Sequence, residues 1–100
     1  MKIIINNIIP FKGYKAINLF GVIFARKELN IIDKNHEAIH TAQMKELWYI
    51  GFYIIYFIEW LSLLPIYGKR AYNNISFEIE AYGNELNFNY LKNRPKYAMW

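Results

Sequence analysis

Two histidines flank a glutamate in the segment His36-Glu37-Ala38-Ile39-His40. On a helix, residues four positions apart lie one turn above each other on the same face, so both imidazoles can bind one metal ion at about 2.1 Å. Glu37 lies at the edge of this face, where its carboxylate reaches a water on the metal rather than the metal itself. The metal lowers the pKa of that water, and the carboxylate takes its proton as the water attacks a carbonyl carbon. The spacing therefore predicts a zinc hydrolase site, with His36 and His40 as ligands and Glu37 as general base.

The predicted site needs a third protein ligand, because catalytic zinc sites take three protein ligands and keep one position open. The chain has no cysteine and only two histidines, so this ligand must be a carboxylate. Five glutamates that follow the motif are candidates: Glu46, Glu59, Glu78, Glu80 and Glu85. Gln43, one turn beyond His40, can hydrogen-bond near the site or lie on the surface. The alternative to a metal site is an exposed helix that carries the two histidines without any ion.

A second segment, Phe77-Glu78-Ile79-Glu80-Ala81-Tyr82, adds a family resemblance to the first motif. The two segments together resemble the gluzincin metallopeptidases, in which a later helix carries Glu-x-x-x-Asp. The resemblance covers about residues 15 to 90. It implies that Glu78 is the third zinc ligand, with Glu80 as the second choice. Tyr82 stands where the family has an aspartate that supports a ligand histidine.

The resemblance also implies a function and a way of binding substrate. It implies a minimal zincin-like metallopeptidase that cleaves peptide bonds, with zinc as cofactor and a peptide or protein as substrate. Zincins bind an extended peptide by adding it to a sheet edge above the metal. The apolar strand predicted from Ala16 to Phe24 is the candidate edge, although an ordinary core strand is an equal alternative. Tyr72 and Tyr82 are candidates for stabilising the oxyanion.

The elements that must position these residues follow from the apolar pattern and the turn residues. A first strand is predicted from Ile3 to Ile9, ended by Pro10 and a turn at Gly13, and the second strand follows it. A helix over residues 33–47 carries the histidines, with Asp33 or Asn35 as cap, and a last helix over 75–92 begins at Asn74 or Ser76. We therefore predict one α+β domain over residues 1–100, with a small N-terminal antiparallel sheet followed by three helices. The metal is expected between the first and third helices.

An apolar block from Leu47 to Leu64 contains a single charged residue, Glu59. As a helix it would be roughly 27 Å long, close to the thickness of a bilayer core. A single crossing would place the histidines and Glu78 on opposite sides of the membrane. We therefore expect this block to associate with the membrane surface in a monotopic or peripheral manner, or to form a hydrophobic homodimer contact. A cytoplasmic location stays open.

The composition supports a chain that covers part of its surface with lipid or protein. Hydrophobic residues make up 55% of the chain and aromatic residues 19%, which is more than a domain of 100 residues can bury. The net charge of +4 comes from scattered basic residues, so no nucleic-acid binding is predicted. The rival to the peptidase is a non-catalytic, small membrane-associated or assembly protein that retains a zincin-like fold.

Overall fold

The structure, a computed structural model, describes residues 2–8 and 15–100. Three short strands come first, and four helices follow them. The elements are β1 (Lys2–Ile5), β2 (Ala16–Leu19), β3 (Val22–Ala25), α1 (Ile31–Glu46), α2 (Ile50–Tyr67), a 3₁₀ segment (Gly68–Asn74), α3 (Ser76–Asn84) and the single turn α4 (Tyr90–Asn93). This order confirms the predicted α+β fold, in which a small N-terminal sheet precedes three main helices.

The sheet has the order β1-β3-β2 and is mixed. The predicted strand from Ala16 to Phe24 is in fact a hairpin, because Phe20 and Gly21 adopt positive φ angles of 54° and 90° and reverse the chain. The two strands of this hairpin, β2 and β3, are antiparallel, whereas β1 runs parallel to β3, so the sheet that was predicted to be antiparallel is mixed. β3 takes the central position, with a partner on each edge, because it carries the two fully buried apolar side chains of the sheet, Ile23 and Ala25. Of the predicted first strand, β1 ends at Ile5, while residues 9–14 lie outside the described part of the chain.

Helix α1 begins two residues earlier than predicted. Its cap is Asn30, whose side-chain oxygen accepts a hydrogen bond of 2.7 Å from the backbone N–H of Asp33. Neither Asp33 nor Asn35 is the cap, because the apolar pair Ile31-Ile32 already belongs to the first turn. Asn35 instead donates to the carbonyl oxygens at the end of α3, and one of these bonds, to Glu85, is 2.8 Å long. This contact holds the first turn of α1 against α3.

Helix α2 begins three residues after the start of the predicted apolar block. Trp48 and Tyr49 have positive φ angles of 59° and 61°, so a tight turn separates α1 from α2. The helix then continues through Pro65 and ends where Gly68 adopts a positive φ angle of 56°. Pro65 lies in the last turn and has no N–H to donate to the carbonyl oxygen of Leu61, so the helix lacks one backbone hydrogen bond shortly before it ends. The bounds of the predicted block are therefore shifted by about one turn.

The predicted last helix over residues 75–92 is interrupted. α3 ends at Asn84, and α4 begins only at Tyr90. The intervening chain contains asparagines and follows Gly83, and both residue types are poor helix formers. The beginning of α3 is held by α2, because the carboxylate of Glu59 accepts the backbone N–H of Ser76 at 2.8 Å and its hydroxyl at 2.7 Å.

The core packs α1, α2 and α3 together. Its buried cluster consists of Met44, Phe52, Ile75, Phe77 and Met99. These residues come from all three helices and from the C-terminal segment, so the core fixes the distance between α1 and α3. The histidines of α1 and the glutamates of α3 therefore face each other at the edge of this cluster.

One helix, α2, is long and apolar enough to cross a membrane by its length and composition, and little of its most apolar stretch is buried in the fold. The chain nevertheless folds back on itself. The hydrogen bonds of Glu59 to Ser76 place the beginning of α3 beside the middle of α2. Residues on both sides of the apolar helix can therefore meet at one site.

Candidate metal centre

Three buried side chains from α1 and α3 converge on one point. Nε2 of His36 and Nε2 of His40 lie 3.1 Å apart, and Oε1 of Glu78 lies 3.2 Å from the first and 3.1 Å from the second. Ligand atoms about 2.1 Å from a tetrahedral zinc are about 3.4 Å from one another. The spacing of these three atoms is therefore close to the spacing that a zinc ion requires, and each residue is less than a tenth exposed.

The far nitrogens of both imidazoles face hydrogen-bond acceptors. Nδ1 of His36 lies 3.0 Å from Oε2 of Glu85, and Nδ1 of His40 lies 2.7 Å from Oε1 of Gln43. A carboxylate or amide oxygen beside Nδ1 keeps the ring proton on that nitrogen. In the neutral form of each ring, the lone pair is then on Nε2, the nitrogen that faces the other two candidate ligands.

Tyr82 contacts the site in a different way from the one that the resemblance implies. Its ring packs edge-on against the ring of His36, with centroids 4.5 Å apart. The hydrogen-bonding position beside Nδ1 of His36 is occupied by Glu85, which lies seven residues after Glu78 and therefore on the same side of α3. That shared helical face was the sequence signal for Glu85.

The second oxygen of Glu78 is bound by α2. The hydroxyl of Tyr56 donates to Oε2 of Glu78 at 2.8 Å. Burial alone would raise the pKa of Glu78, but hydrogen bonds from His36, His40 and Tyr56 outweigh it and hold that pKa well below its usual value. Glu78 is therefore an ionised carboxylate at neutral pH. Sequence reasoning missed Tyr56, because nothing in the apolar block indicates which of its tyrosines faces α3.

Burial also changes the proton affinity of the two neighbouring groups. It lowers the pKa of His40, but the hydrogen bond and the negative charge of Glu78 outweigh it and raise that pKa to about 9. Burial raises the pKa of Glu37, although the adjacent histidines oppose the shift. A carboxylate with a raised pKa is a stronger base than an exposed one, as a general base requires.

A cleft of about 400 Å³ opens beside these groups. Glu37, His40 and Glu78 line it from one side, and the strand β2 lines it from the other through Ala16 and Ile17. Among the strands that the structure describes, β2 is hydrogen-bonded only to β3, so its outer edge is unpaired. The cleft can therefore bring an extended chain close to the three converging ligand atoms.

Of the two tyrosines predicted to stabilise an oxyanion, the structure places one in the cleft. Tyr72 lines it together with Glu37 and Glu78. Burial and the negative charge of Glu78 raise the pKa of Tyr72, so its phenol keeps its proton and can donate it in a hydrogen bond. Tyr82 packs edge-on against His36 instead.

Of the other candidate glutamates, Glu85 contacts the Nδ1 side of His36, and the remaining three are bound elsewhere. Glu80 binds Arg94, Tyr90 and the side chain of Gln43 on the opposite side of α3. Glu46 forms an ion pair with Arg94, and Glu59 caps the start of α3. Of the five glutamates considered as third ligand, only Glu78 lies between the two Nε2 atoms.

Two imidazole nitrogens and one carboxylate oxygen form a donor set that suits Zn²⁺, and a fourth direction opens toward the cleft. The same set with an adjacent glutamate can activate water for the attack on a carbonyl carbon. Comparison of this chain with protein-family models, with curated proteins and with solved structures finds no match.

Proposed function

We propose that this protein is a zinc-dependent hydrolase of the metallopeptidase type. The observation that carries the proposal is the convergence of His36, His40 and Glu78, whose ligand atoms lie 3.1 to 3.2 Å apart. The acceptors beside both Nδ1 atoms support it, because in the neutral rings they leave two nitrogen lone pairs and one carboxylate oxygen facing a single point. An exposed helix carrying the motif by coincidence would have no reason to bury these groups together.

In this function, zinc supplies a Lewis acid that lowers the pKa of water and polarises the substrate carbonyl. The residues of the chain transfer the protons and bind the substrate. Glu37 accepts the proton of the attacking water, and the raised pKa of its carboxylate suits it to this step. The same carboxylic acid then donates the proton to the leaving amine. Tyr72 lies in the cleft as a neutral hydrogen-bond donor to the substrate carbonyl oxygen.

A peptide is the substrate that fits the shape of the cleft. β2 lines it, and no other described strand pairs with the outer edge of β2. The carbonyl oxygen of Asn18 already accepts a hydrogen bond from the hydroxyl of Tyr53, so an extended chain would pair with this edge beside Ala16. A peptide added at this edge gains main-chain hydrogen bonds in a way that a small ester does not. Aromatic side chains of α2, including Phe52 and Tyr53, supply an apolar floor for its side chains.

We also propose that α2 attaches the protein to a membrane surface. Its exposed apolar face consists of Ile50, Ile54, Phe57, Ile58 and Leu61, each between 47% and 64% exposed. These positions form one stripe along the helix, and Lys69 and Arg70 follow directly after its end. Basic residues beside an apolar stripe favour an anionic lipid surface over a second copy of the same positively charged chain.

The test of the hydrolase compares metal content and peptide hydrolysis in four proteins. The wild type should bind about one zinc per chain. His36→Ala and His40→Ala should lose the metal and the activity, whereas Glu37→Gln should keep the metal and lose the activity. Wild-type zinc content in both histidine variants would overturn the metal site. If the metal-loaded protein cleaves no member of a mixed peptide library, the proposed peptidase activity is contradicted, and the metal site is not.

A further inference from the structure

The side chain of Gln43 lies fully buried between His40 and Glu80. Its Oε1 atom is 2.7 Å from Nδ1 of His40. Its Nε2 atom donates to the carbonyl oxygen of Phe77 at 2.9 Å and to Oε1 of Glu80 at 3.0 Å. Both amide hydrogens are therefore used by oxygen acceptors. The reverse orientation of the amide would place its oxygen against two other oxygens, so only one orientation is satisfied.

This orientation determines which nitrogen of His40 carries the proton. Because Oε1 of Gln43 can only accept, Nδ1 of His40 must donate. The lone pair of Nε2 then faces His36 and Glu78, where a metal would bind. If the amide were reversed, its NH₂ group would need Nδ1 as acceptor. The neutral ring would then carry its proton on Nε2, which cannot bind a metal in that form.

Glu80 is held as an acceptor. Two nitrogens of Arg94 donate to its carboxylate, and the hydroxyl of Tyr90 donates to Oε2 at 2.7 Å. Both oxygens of Glu80 thus receive hydrogen bonds from Arg94, and Oε2 receives a further one from Tyr90, so the carboxylate acts as the acceptor beside the Gln43 amide.

We propose that Glu80 is a positioning residue for the metal centre, which acts through Gln43 to fix His40 in the Nδ1–H tautomer. This inference rests on the proposed zinc site and extends it beyond the three ligands and Glu37. It gives a role to a carboxylate that the sequence offered only as an alternative ligand.

The variant Glu80→Gln tests this role with almost no change in volume. The single oxygen of the new amide is retained by Arg94 and Tyr90, so its NH₂ group faces the NH₂ group of Gln43. Gln43 then has one acceptor beside it, the carbonyl oxygen of Phe77, in place of two, so its preference for the present orientation should weaken and the Nε2–H tautomer of His40 should gain population. Imidazole nitrogen chemical shifts of metal-free protein, measured above the raised pKa of His40, report the tautomer. Competition with a chelator reports zinc affinity, which should fall roughly 10- to 100-fold.

The matched control is Tyr90→Phe, which removes another hydrogen bond of Glu80 but leaves Oε1 facing Gln43. It should keep the wild-type tautomer and zinc affinity, even where thermal unfolding shows a similar loss of stability in both variants. If Glu80→Gln does not fold, Gln43→Met removes the amide and should abolish the tautomer preference.

Two results would overturn the inference. One is a wild-type His40 with its proton on Nε2. The other is a folded Glu80→Gln variant with the wild-type tautomer and zinc affinity. Absence of zinc from the wild type would instead overturn the proposed function, and the tautomer of the metal-free protein would still decide this inference.

Discussion

The hydroxyl of Tyr56 on α2 donates to Oε2 of Glu78 on α3 at 2.8 Å, so the apolar helix contacts the candidate metal centre directly. The two carboxylate oxygens of Glu78 therefore have different partners. Oε1 faces the histidines, and Oε2 faces Tyr56. A carboxylate that is held at one oxygen offers the other in a fixed direction. This contact makes the position of α2 part of the geometry of the site.

The first prediction concerns this hydrogen bond. Tyr56→Phe leaves Oε2 of Glu78 buried without its donor, so zinc affinity should fall roughly 10-fold or more. The metal-free protein should lose about 1–3 kcal/mol of stability, as expected for a hydrogen bond to a charged group. Chelator competition and denaturant unfolding measure the two effects. The control is Tyr53→Phe, which breaks bonds to the β2–β3 hairpin but none to Glu78, and should keep its zinc affinity. Equal affinities in the two variants would contradict the prediction.

The second prediction concerns the identity of the third ligand. Glu78→Gln replaces a charged ligand by a weakly binding amide, so zinc at stoichiometric concentration should no longer be retained. Glu28→Gln removes the same charge from an exposed position and should retain the metal. Metal analysis after gel filtration measures both. If the Glu78 variant retains zinc, Glu78 is not the third ligand, and Glu85, the other carboxylate beside His36, is the next to test.

The third prediction concerns pH. In the metal-free protein the pKa of His40 is raised from 6.5 to about 9. A raised folded pKa contributes stability that is fully present below pH 6.5 and is lost as pH rises to about 9. Zinc needs the unprotonated Nε2, so zinc affinity should rise over the same range. As pH rises, the free energy of unfolding measured in chelator should therefore fall. The zinc affinity measured by titration at the same pH values should rise.

The His40→Ala variant is the control for this pair of slopes. It removes the titrating group, so the decline in metal-free stability over that pH range should flatten. A wild-type protein whose metal-free stability is constant between pH 6.5 and 9 would show that Glu78 does not hold a proton on His40.

The fourth prediction concerns the exposed apolar face of α2. The double variant Ile54→Lys with Ile58→Lys should lose binding to anionic phosphatidylserine vesicles in co-sedimentation and keep its zinc. The control is Ile5→Lys, which changes an isoleucine as exposed as Ile58, at 56%, on strand β1. It should bind vesicles as the wild type does. Vesicle binding by the double variant, or a wild-type dimer that dissociates in that variant, would favour a protein partner on this face.

The sequence predicted best what depends on local spacing. His36, Glu37 and His40 lie on one helix, and a four-residue interval places both histidines on one face whatever surrounds them. The choice of Glu78 as third ligand came from the resemblance of its segment to the gluzincin pattern. For Gln43 the sequence left open a hydrogen bond near the site or a place on the surface, and the structure buries its side chain against His40.

Contacts between distant segments were beyond the reach of local patterns. Tyr56 is one of several tyrosines in α2, and only the packing of α2 on α3 selects it as the partner of Glu78. The parallel pairing of β1 with β3 likewise depends on the path of the chain around β2. The sequence analysis did not identify Asn30 as the cap, because it placed the helix start close to the histidine motif and the helix begins earlier, at Ile31.

His40 and Glu78 are separated by 38 positions, and α2 and the 3₁₀ segment make up most of that interval. A metal bound by both residues would join the two ends of this loop as a covalent cross-link does. In a chain without cysteine, zinc would thus take the place of a disulfide, because closing a long loop removes conformational entropy from the unfolded chain. Loss of the ion would then destabilise the segment that connects α2 to α3. It would also weaken the packing of Phe77 at the edge of the core.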